Sequence, residues 1–253
     1  MSHTSVYVFE NPQELARATA ELFAKEAESS MREIGRFAVS LAGGSTPKAL
    51  YELLAAEYRD ALDWGKVHAF FGDERCVPPD HEDSNYRMAH EALLSQVPVG
   101  SVHRMRGELD PREAATLYEE ELTTFFDGGP SFDLVLLGIG EDGHTASLFP
   151  HTPALDVRDR WVVENPVEKL GTIRITLTTP AINGARKVAF LVTGAGKAEA
   201  LREVLEGDAR PLDYPAKLIH PPSGALTWMI DKEAASLLSN PAASREHSPL
   251  HDK

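Results

Sequence analysis

Short apolar runs rich in β-branched and aromatic residues alternate with longer amphipathic stretches along most of the chain. The first three pairs are 5–10 with 12–30, 36–42 with 46–58, and 67–72 with 84–95. Further apolar runs lie at 132–140, 172–178 and 187–194, and further amphipathic stretches at about 196–206 and at 231–238. A strand-sized run followed by a helix-sized stretch is typical of a βαβ unit, so the sequence predicts alternating strands and helices.

The runs at 36–42 and 132–138 are apolar at nearly every position instead of alternating with polar residues. A strand of this kind is buried on both faces, which occurs when helices cover both sides of a parallel sheet. No internal repeat, heptad array or low-complexity linker interrupts residues 1–238. We therefore expect one α/β domain over 1–238, with a mostly parallel sheet flanked by helices on both faces.

Residues 239–253 differ from the rest because they are polar, contain two prolines and lack an apolar face. Such a segment cannot bury enough apolar surface to fold, so we predict a disordered tail. Its histidines, His247 and His251, are expected to be solvated side chains instead of metal ligands, because they do not match the ligand spacings of known sites.

Composition narrows the function classes. The chain of 253 residues has a formal net charge of −14 and no basic stripe, which argues against a nucleic-acid partner. No apolar run reaches the roughly 18 residues of a membrane-spanning helix, and the first residues lack the layout of a signal peptide. The single cysteine, Cys76, excludes an internal disulfide and a multi-cysteine metal site. We expect a cytoplasmic protein without a metal, whose anionic ligands would need a local positive pocket.

Two glycines follow the second apolar run, in the segment 41–47. Gly43 and Gly44 allow the backbone to turn sharply and approach a ligand, and Ser45 or Thr46 can cap the next helix. The free amides and the dipole at a helix start face an anion, so the segment predicts a phosphate cradle. An ordinary glycine turn is the alternative, because the segment matches neither the Walker A motif nor G-x-G-x-x-G.

Two more segments place polar residues directly after apolar runs. In parallel sheets, ligands bind beyond the carboxyl ends of the strands, which is this position. Asp73 and Arg75 follow the third run, where they can bind a ligand or form local ion pairs in a solvated loop. Asp142 and His144 lie in the glycine-rich segment 138–150. A histidine has an unperturbed pKa of about 6.5 and can take a proton, and a nearby carboxylate can orient it. Glycine amides there would suit an oxyanion, whereas a purely structural histidine is the alternative.

Two cations occur near later apolar runs. Arg174 is a charged residue inside the otherwise apolar run at 172–178, so it needs a partner. Lys197 lies where the run at 187–194 gives way to a helix. Both side chains are suited to a dianionic phosphate, although Lys197 can equally be a solvated lysine in the first turn of that helix.

Taken together, the segments AGGSTP, GDERCVPPDHEDSNYRMA, LLGIGEDGHTASLFP, RITLT and VTGAGK resemble the 6-phosphogluconolactonase family in order and spacing, over about residues 1–238. The resemblance implies a single Rossmann-like domain related to the glucosamine-6-phosphate deaminases. It also implies hydrolysis of a sugar-phosphate lactone, 6-phospho-D-glucono-1,5-lactone, to 6-phosphogluconate in the oxidative pentose phosphate pathway, with no required cofactor. We expect a monomer or a small homo-oligomer.

The resemblance also implies roles for the candidate residues. His144 would be the general base that activates water, and Asp142 would orient it. The residues that would bind the 6-phosphate are Gly43, Gly44, Ser45, Thr46, Arg174 and Lys197. Arg75 would face the sugar ring or the carbonyl oxygen. For Asp73, the residues alone leave two roles open, a base or an orienting group. Cys76 receives no role.

Two other functions compete with lactone hydrolysis. The deaminases resemble this chain but carry an acidic residue five places after the histidine, as in DGHIAFNEP, where this chain has Phe149. Phenylalanine cannot transfer a proton, so sugar ring opening would lack its acid–base group. A non-catalytic sugar-phosphate sensor is the second alternative, but binding alone does not require a base such as His144.

Overall fold

The computed structural model describes residues 3–222 and 224–239. The strands are β1 (His3–Phe9), β2 (Phe37–Leu41), β3 (Val67–Phe71), β4 (Asp73–Arg75), β5 (Ser101–Val102), β6 (Leu134–Leu137), β7 (Val162–Val167), β8 (Thr172–Leu177), β9 (Lys187–Val192) and β10 (Ala225–Asp231). The α-helices are α1 (Pro12–Ile34), α2 (Ser45–Glu57), α3 (Asn85–Ala89), α4 (Pro111–Phe126), α5 (Thr179–Asn183) and α6 (Ala198–Leu205), and α3 continues as a π-helical turn over His90–Leu94.

Seven strands form one sheet in the order β1-β10-β9-β6-β2-β3-β5, and all neighbouring strands are parallel. Apolar residues of α1, α2 and α3 pack with one set of strand side chains, and those of α4, α5 and α6 with the other. In β2, for example, Phe37, Val39 and Leu41 belong to the first cluster and Ala38 to the second. The predicted α/β fold, with a mostly parallel sheet between two helical layers, is confirmed.

A second, antiparallel sheet has the order β4-β8-β7. The run at 172–178, expected among the alternating βαβ units, is β8 and pairs in this small sheet. The expectation failed because an apolar run carries no information about its pairing partner. The charged strand β4 and the strand β7, which contains Pro166, lack a strong apolar pattern, so neither was predicted.

Other parts of the fold also differ from the prediction. The helix α4 and the strands β5 and β10 were not predicted. The predicted helix at 231–238 is wrong, because β10 extends to Asp231 and only a 3-10 turn at Ala234–Leu237 follows. β10 lies between β1 and β9 and forms backbone hydrogen bonds with both strands.

The end of the described chain lies beside α6. The backbone amide and the hydroxyl of Ser239 both donate to the carboxylate of Glu206. The rest of the tail that the sequence predicts to be disordered, 240–253, lies outside the described residues. Among the described residues, every helix is too short or too polar to cross a membrane.

Two buried tyrosines hold the backbone where strands end and functional loops begin. The Tyr51 hydroxyl donates to the carbonyl of Ala42 and accepts from its amide, both at 2.9 Å. The Tyr118 hydroxyl does the same at Phe71, donating at 3.2 Å and accepting at 2.8 Å. Tyr51 comes from α2 and Tyr118 from α4, so the ends of β2 and β3 are fixed from opposite faces of the sheet.

Replacing these hydroxyls tests how much the strand ends depend on them. Tyr51→Phe and Tyr118→Phe each leave a buried amide and carbonyl unpaired, so each should lower the free energy of unfolding by about 1–3 kcal/mol. Urea denaturation monitored by circular dichroism measures this, with an unchanged m-value as the control for an intact native state. Losses under about 0.5 kcal/mol in both variants would contradict the assignment.

Candidate active site

A cavity of about 270 Å³ lies where the carboxyl ends of β2, β3, β6 and β9 meet, next to β8. The chain proceeds from β2 to β3 on one side and from β6 to β9 on the other, so the cavity lies where the strand order reverses. Every predicted site residue except Asp142 lines it: Gly43, Gly44, Ser45, Thr46, Asp73, Arg75, His144, Arg174 and Lys197. The topology thus brings together segments that are far apart in sequence.

The glycine loop joins β2 to α2. Gly44 has a φ of 102°, a conformation that strains residues with a side chain. A Cβ atom on Gly43 would lie 2.0 Å from Asn85 Oδ1, so this position requires glycine. Gly44 precedes α2 and offers no capping side chain, which leaves the first amides of the helix available to a ligand. Thr46 Oγ1 lies 2.7 Å from Thr193 Oγ1, which fixes this hydroxyl at the loop after β9.

The acidic residues of β4 are held by neutral donors. Asp73 accepts hydrogen bonds from Asn85 Nδ2 at 3.2 Å and from Ser147 Oγ at 2.6 Å. Glu74 accepts from the backbone amides of Arg75, Asn85 and Tyr86. Burial raises the pKa of Glu74, and these amide bonds oppose the rise. Together the two carboxylates fix the start of α3, and they place Asn85 against Gly43.

Cations form another wall of the cavity. Arg75 and Arg174 are directly opposite in the antiparallel pair of β4 and β8, an arrangement that is unfavourable for two like charges. Burial lowers the pKa of Arg174, and the charge of Arg75 lowers it further. Lys197 ends the 3-10 turn Ala195–Lys197 after β9 and faces the same cavity. In a chain with a net charge of −14, this local excess of positive charge indicates an anion site.

His144 is fixed by a carboxylate at its edge and a ring at its face. Its Nδ1 lies 2.5 Å from Asp142 Oδ1, so Nδ1 carries the donated proton and Nε2 remains the acceptor. Its ring stacks on Phe149, with centroids 4.1 Å apart. A Cβ atom on Gly140 would lie 2.0 Å from Nδ1, so that glycine provides the space for the imidazole. Burial lowers the pKa of His144 to about 4, Asp73 opposes this shift, and the cavity cations add to it.

Three residues around the site received no role from the sequence. Asn85 and Ser147 lie inside the motif segments, and their polar character was the only signal of a contact with Asp73. Lys169 contacts Asp142 Oδ2 from the turn between β7 and β8. The sequence does not show how the strands on either side of this turn pair, so it gives no signal that places the Lys169 side chain at this site.

The model of the family of glucosamine-6-phosphate isomerases and 6-phosphogluconolactonase matches residues 10–228. The chain belongs to this family. A 6-phosphogluconolactonase of Synechocystis sp. is 50% identical over 216 residues, covering 83% of this chain and 88% of the relative. One of Nostoc sp. is 43% identical over 242 residues, covering 93% and 98%. The solved structure of 6-phosphogluconolactonase from Trypanosoma cruzi superposes with a TM-score of 0.85 at 31% identity, covering 94% and 98%. The family predicted from the motifs is confirmed.

The protonation state of His144 can be measured directly. Because its pKa is lowered to about 4, nitrogen NMR of the ring should show the neutral form with Nδ1 protonated throughout the range above about pH 5. His144→Asn removes the signal and so assigns it. A titration midpoint near the ordinary value of about 6.5 would contradict the structure. The unfolded chain binds a proton at this histidine more readily than the folded chain does. The free energy of unfolding should therefore fall as the pH falls from about 6.5 to about 4.

Proposed function

We propose that the chain hydrolyses 6-phospho-D-glucono-1,5-lactone to 6-phosphogluconate in the oxidative pentose phosphate pathway, with His144 as a general base. The observation that carries the proposal is the bond from His144 to Asp142, made at a cavity that also contains a helix start and three cations. A base beside an anion cradle suits hydrolysis of a phosphorylated substrate. The lactonase relatives, which match most of the chain, support this substrate.

The 6-phosphate would bind at the start of α2. The amides of Ser45 and Thr46 and the hydroxyl of Thr46 are the donors there, and the helix dipole favours an anion. Arg174 and Lys197 would balance the charge of the phosphate. Binding the phosphate at this end leaves the lactone ring to extend toward His144.

His144 Nε2 would take a proton from a water molecule whose oxygen attacks the lactone carbonyl carbon. The tetrahedral intermediate then collapses with cleavage of the bond between that carbon and the ring oxygen. The imidazolium returns its proton to the departing ring oxygen, which becomes a hydroxyl group, and the new carboxylic acid ionises. An imidazolium with a lowered pKa is a stronger acid than an ordinary one, which favours the second proton transfer.

Arg75 would stabilise the oxyanion that forms on the carbonyl oxygen, because the guanidinium lines the cavity and its Nη1 is anchored by the carbonyl of Asp83. Asp73 would orient sugar hydroxyls instead of acting as a base. Its two carboxylate oxygens already accept bonds from Asn85 and Ser147, which hold it in one orientation. Its negative charge also opposes the loss of a proton from the His144 imidazolium.

Deamination of an amino-sugar phosphate is the second candidate within the same family. It needs an acid–base group near the histidine, but the position five residues after His144 is Phe149, whose ring stacks on the imidazole. A hydrocarbon ring at this point excludes water from one face of the base and transfers no proton. The position therefore favours lactone hydrolysis over deamination.

The proposal is tested by acid release from freshly prepared 6-phosphogluconolactone at neutral pH, against the spontaneous rate. Wild-type protein should accelerate the reaction, and His144→Ala should lower kcat by about 10²- to 10⁴-fold through loss of the general base. Asp142→Asn should lower kcat at least about tenfold, because the proton on Nδ1 loses its carboxylate acceptor. Arg174→Met should act mainly on KM.

His220→Ala is the matched control, since His220 is exposed and precedes β10 at the opposite end of the sheet. Binding of 6-phosphogluconate to His144→Ala, measured by calorimetry, should remain within about threefold of wild type, because the phosphate cradle is intact. Wild-type protein that only matches the spontaneous rate would refute lactone hydrolysis. Binding without turnover would then favour the sugar-phosphate sensor, and turnover of glucosamine 6-phosphate the deaminase.

This proposal also includes a cytoplasmic location, the lack of a nucleic-acid partner, a monomer or small homo-oligomer, and a reaction without a cofactor. The thiol of Cys76 supports a reducing compartment, because it is a lone, half-buried cysteine with no disulfide partner in the sequence.

Thiol reagents test whether Cys76 takes part in the reaction. Burial raises the pKa of its thiol, so the nucleophilic thiolate is scarce at neutral pH. Treatment with iodoacetamide should leave lactone hydrolysis largely intact, and Cys76→Ser should behave like wild type. Complete inactivation by modification, with Cys76→Ser also inactive, would give the thiol a role that the proposed mechanism lacks.

A further inference from the structure

An exposed lysine contacts the carboxylate that orients the proposed base. Lys169 Nζ contacts Oδ2 of Asp142, while Oδ1 of the same carboxylate accepts from Nδ1 of His144 at 2.5 Å and from its backbone amide at 3.2 Å. His144 belongs to the loop after β6, whereas Lys169 belongs to the turn between β7 and β8. The carboxylate is thus held between two separate parts of the fold.

The same ammonium group also lies 5.3 Å from the centroid of the Phe149 ring. A cation within about 6 Å of an aromatic face is attracted by it. Because Phe149 stacks on the imidazole, Lys169 contacts both groups that fix His144, one at the edge of the imidazole and one at its face.

The position of Lys169 follows from a short turn. The 3-10 segment Glu168–Leu170 ends at Gly171, which has a φ of 60°, and it links β7 directly to β8. The same strand β8 places Arg174 at the cavity. The Lys169 side chain is 53% exposed, so loss of its ammonium group leaves no void in the core.

We propose that Lys169 is a positioning residue for the Asp142–His144 pair in the lactone hydrolysis proposed above. It holds the carboxylate in the orientation that meets Nδ1, and it balances part of the carboxylate charge. The first effect keeps Nε2 directed at the substrate. The second weakens the attraction between Asp142 and the imidazolium, so the imidazolium gives up its proton more readily to the departing ring oxygen.

Other charges act on His144 from several elements, and the test must leave them unchanged. They are Asp142 in its own loop, Asp73 and Arg75 on β4, Arg174 on β8 and Lys197 after β9. Substitution of Lys169 touches none of these side chains except Asp142.

Three variants separate charge from structure. Lys169→Met keeps the length of the side chain but removes the charge, and Lys169→Arg keeps the charge. Lys66→Met is the matched control, because Lys66 is 52% exposed, pairs with Asp63 at 2.9 Å and precedes β3 at the opposite end of the sheet. We expect Lys169→Met to lower kcat about tenfold and to leave KM within about twofold of wild type. This is the effect expected when a residue that orients a catalytic group is lost. Lys169→Arg should recover most of this loss, and Lys66→Met should match wild type.

A second measurement does not need turnover. Without the neighbouring cation the charge of Asp142 favours the imidazolium, so the pKa of His144 should rise in Lys169→Met by about 0.5–1 unit. The NMR titration midpoint and the acid limb of kcat should move together to higher pH. A residue with a merely structural role would not move either of them.

The outcomes distinguish this proposal from the proposed function. Inactive wild-type protein refutes lactone hydrolysis, and the NMR midpoint then shows by itself whether Lys169 controls the Asp142–His144 pair. Active wild type with an unchanged kcat and midpoint in Lys169→Met overturns the role of Lys169. So does a rise in KM alone, which would assign the lysine to substrate binding, or a loss of kcat that lacks the midpoint shift and is not recovered by arginine.

Discussion

The hydrogen bond from His144 Nδ1 to Asp142 is the interaction on which the rest of the site depends. It fixes one tautomer, so that Nε2 is the ring nitrogen that can accept a proton. Burial keeps this imidazole neutral, and Gly140 supplies the space that a side chain would fill. Without the bond, the same partly buried ring could rotate or exchange tautomers, and Nε2 would no longer be a defined acceptor at the cavity.

The small antiparallel sheet is the second element of the design. It lies beside the carboxyl ends of the parallel strands, and its register places Arg75 opposite Arg174 at the cavity. Two facing guanidinium groups repel each other, so negative charge placed beside either of them would relieve their repulsion. The turn that joins two strands of this sheet also carries Lys169 to Asp142. One short sheet therefore positions two cations of the cavity and the lysine that contacts Asp142.

The acidic residues near the site explain how a chain of net charge −14 keeps a positive cavity. Asp73 is satisfied by an amide and a hydroxyl, and Glu74 by backbone amides and the hydroxyl of Ser84. Because these carboxylates have neutral donors as partners, they do not need the neighbouring guanidinium groups. The positive charge of Arg75 and Arg174 thus stays available to a substrate, as expected for a preorganised site.

The sequence by itself determined the features that depend on neighbours along the chain. The glycine turn at Gly43 and Gly44 and the contact of Asp142 with His144, two residues later, are local features. Residue type and order were therefore sufficient to predict them. The alternation of strands and helices followed from hydrophobic periodicity for the same reason. The position of the cavity also followed, because parallel strands place their carboxyl ends at one edge.

Only the tertiary structure decided which strands pair. β10 lies between β1 and β9, and β8 pairs with β4 and β7 in the small antiparallel sheet. Nothing in the residues of β10 or β8 specifies these partners. The facing arginines, the contact of Lys169 with Asp142 and the low pKa of His144 all follow from that pairing and from burial. Pairing and burial are long-range properties, since each arises from residues tens of positions apart that approach only when the chain folds.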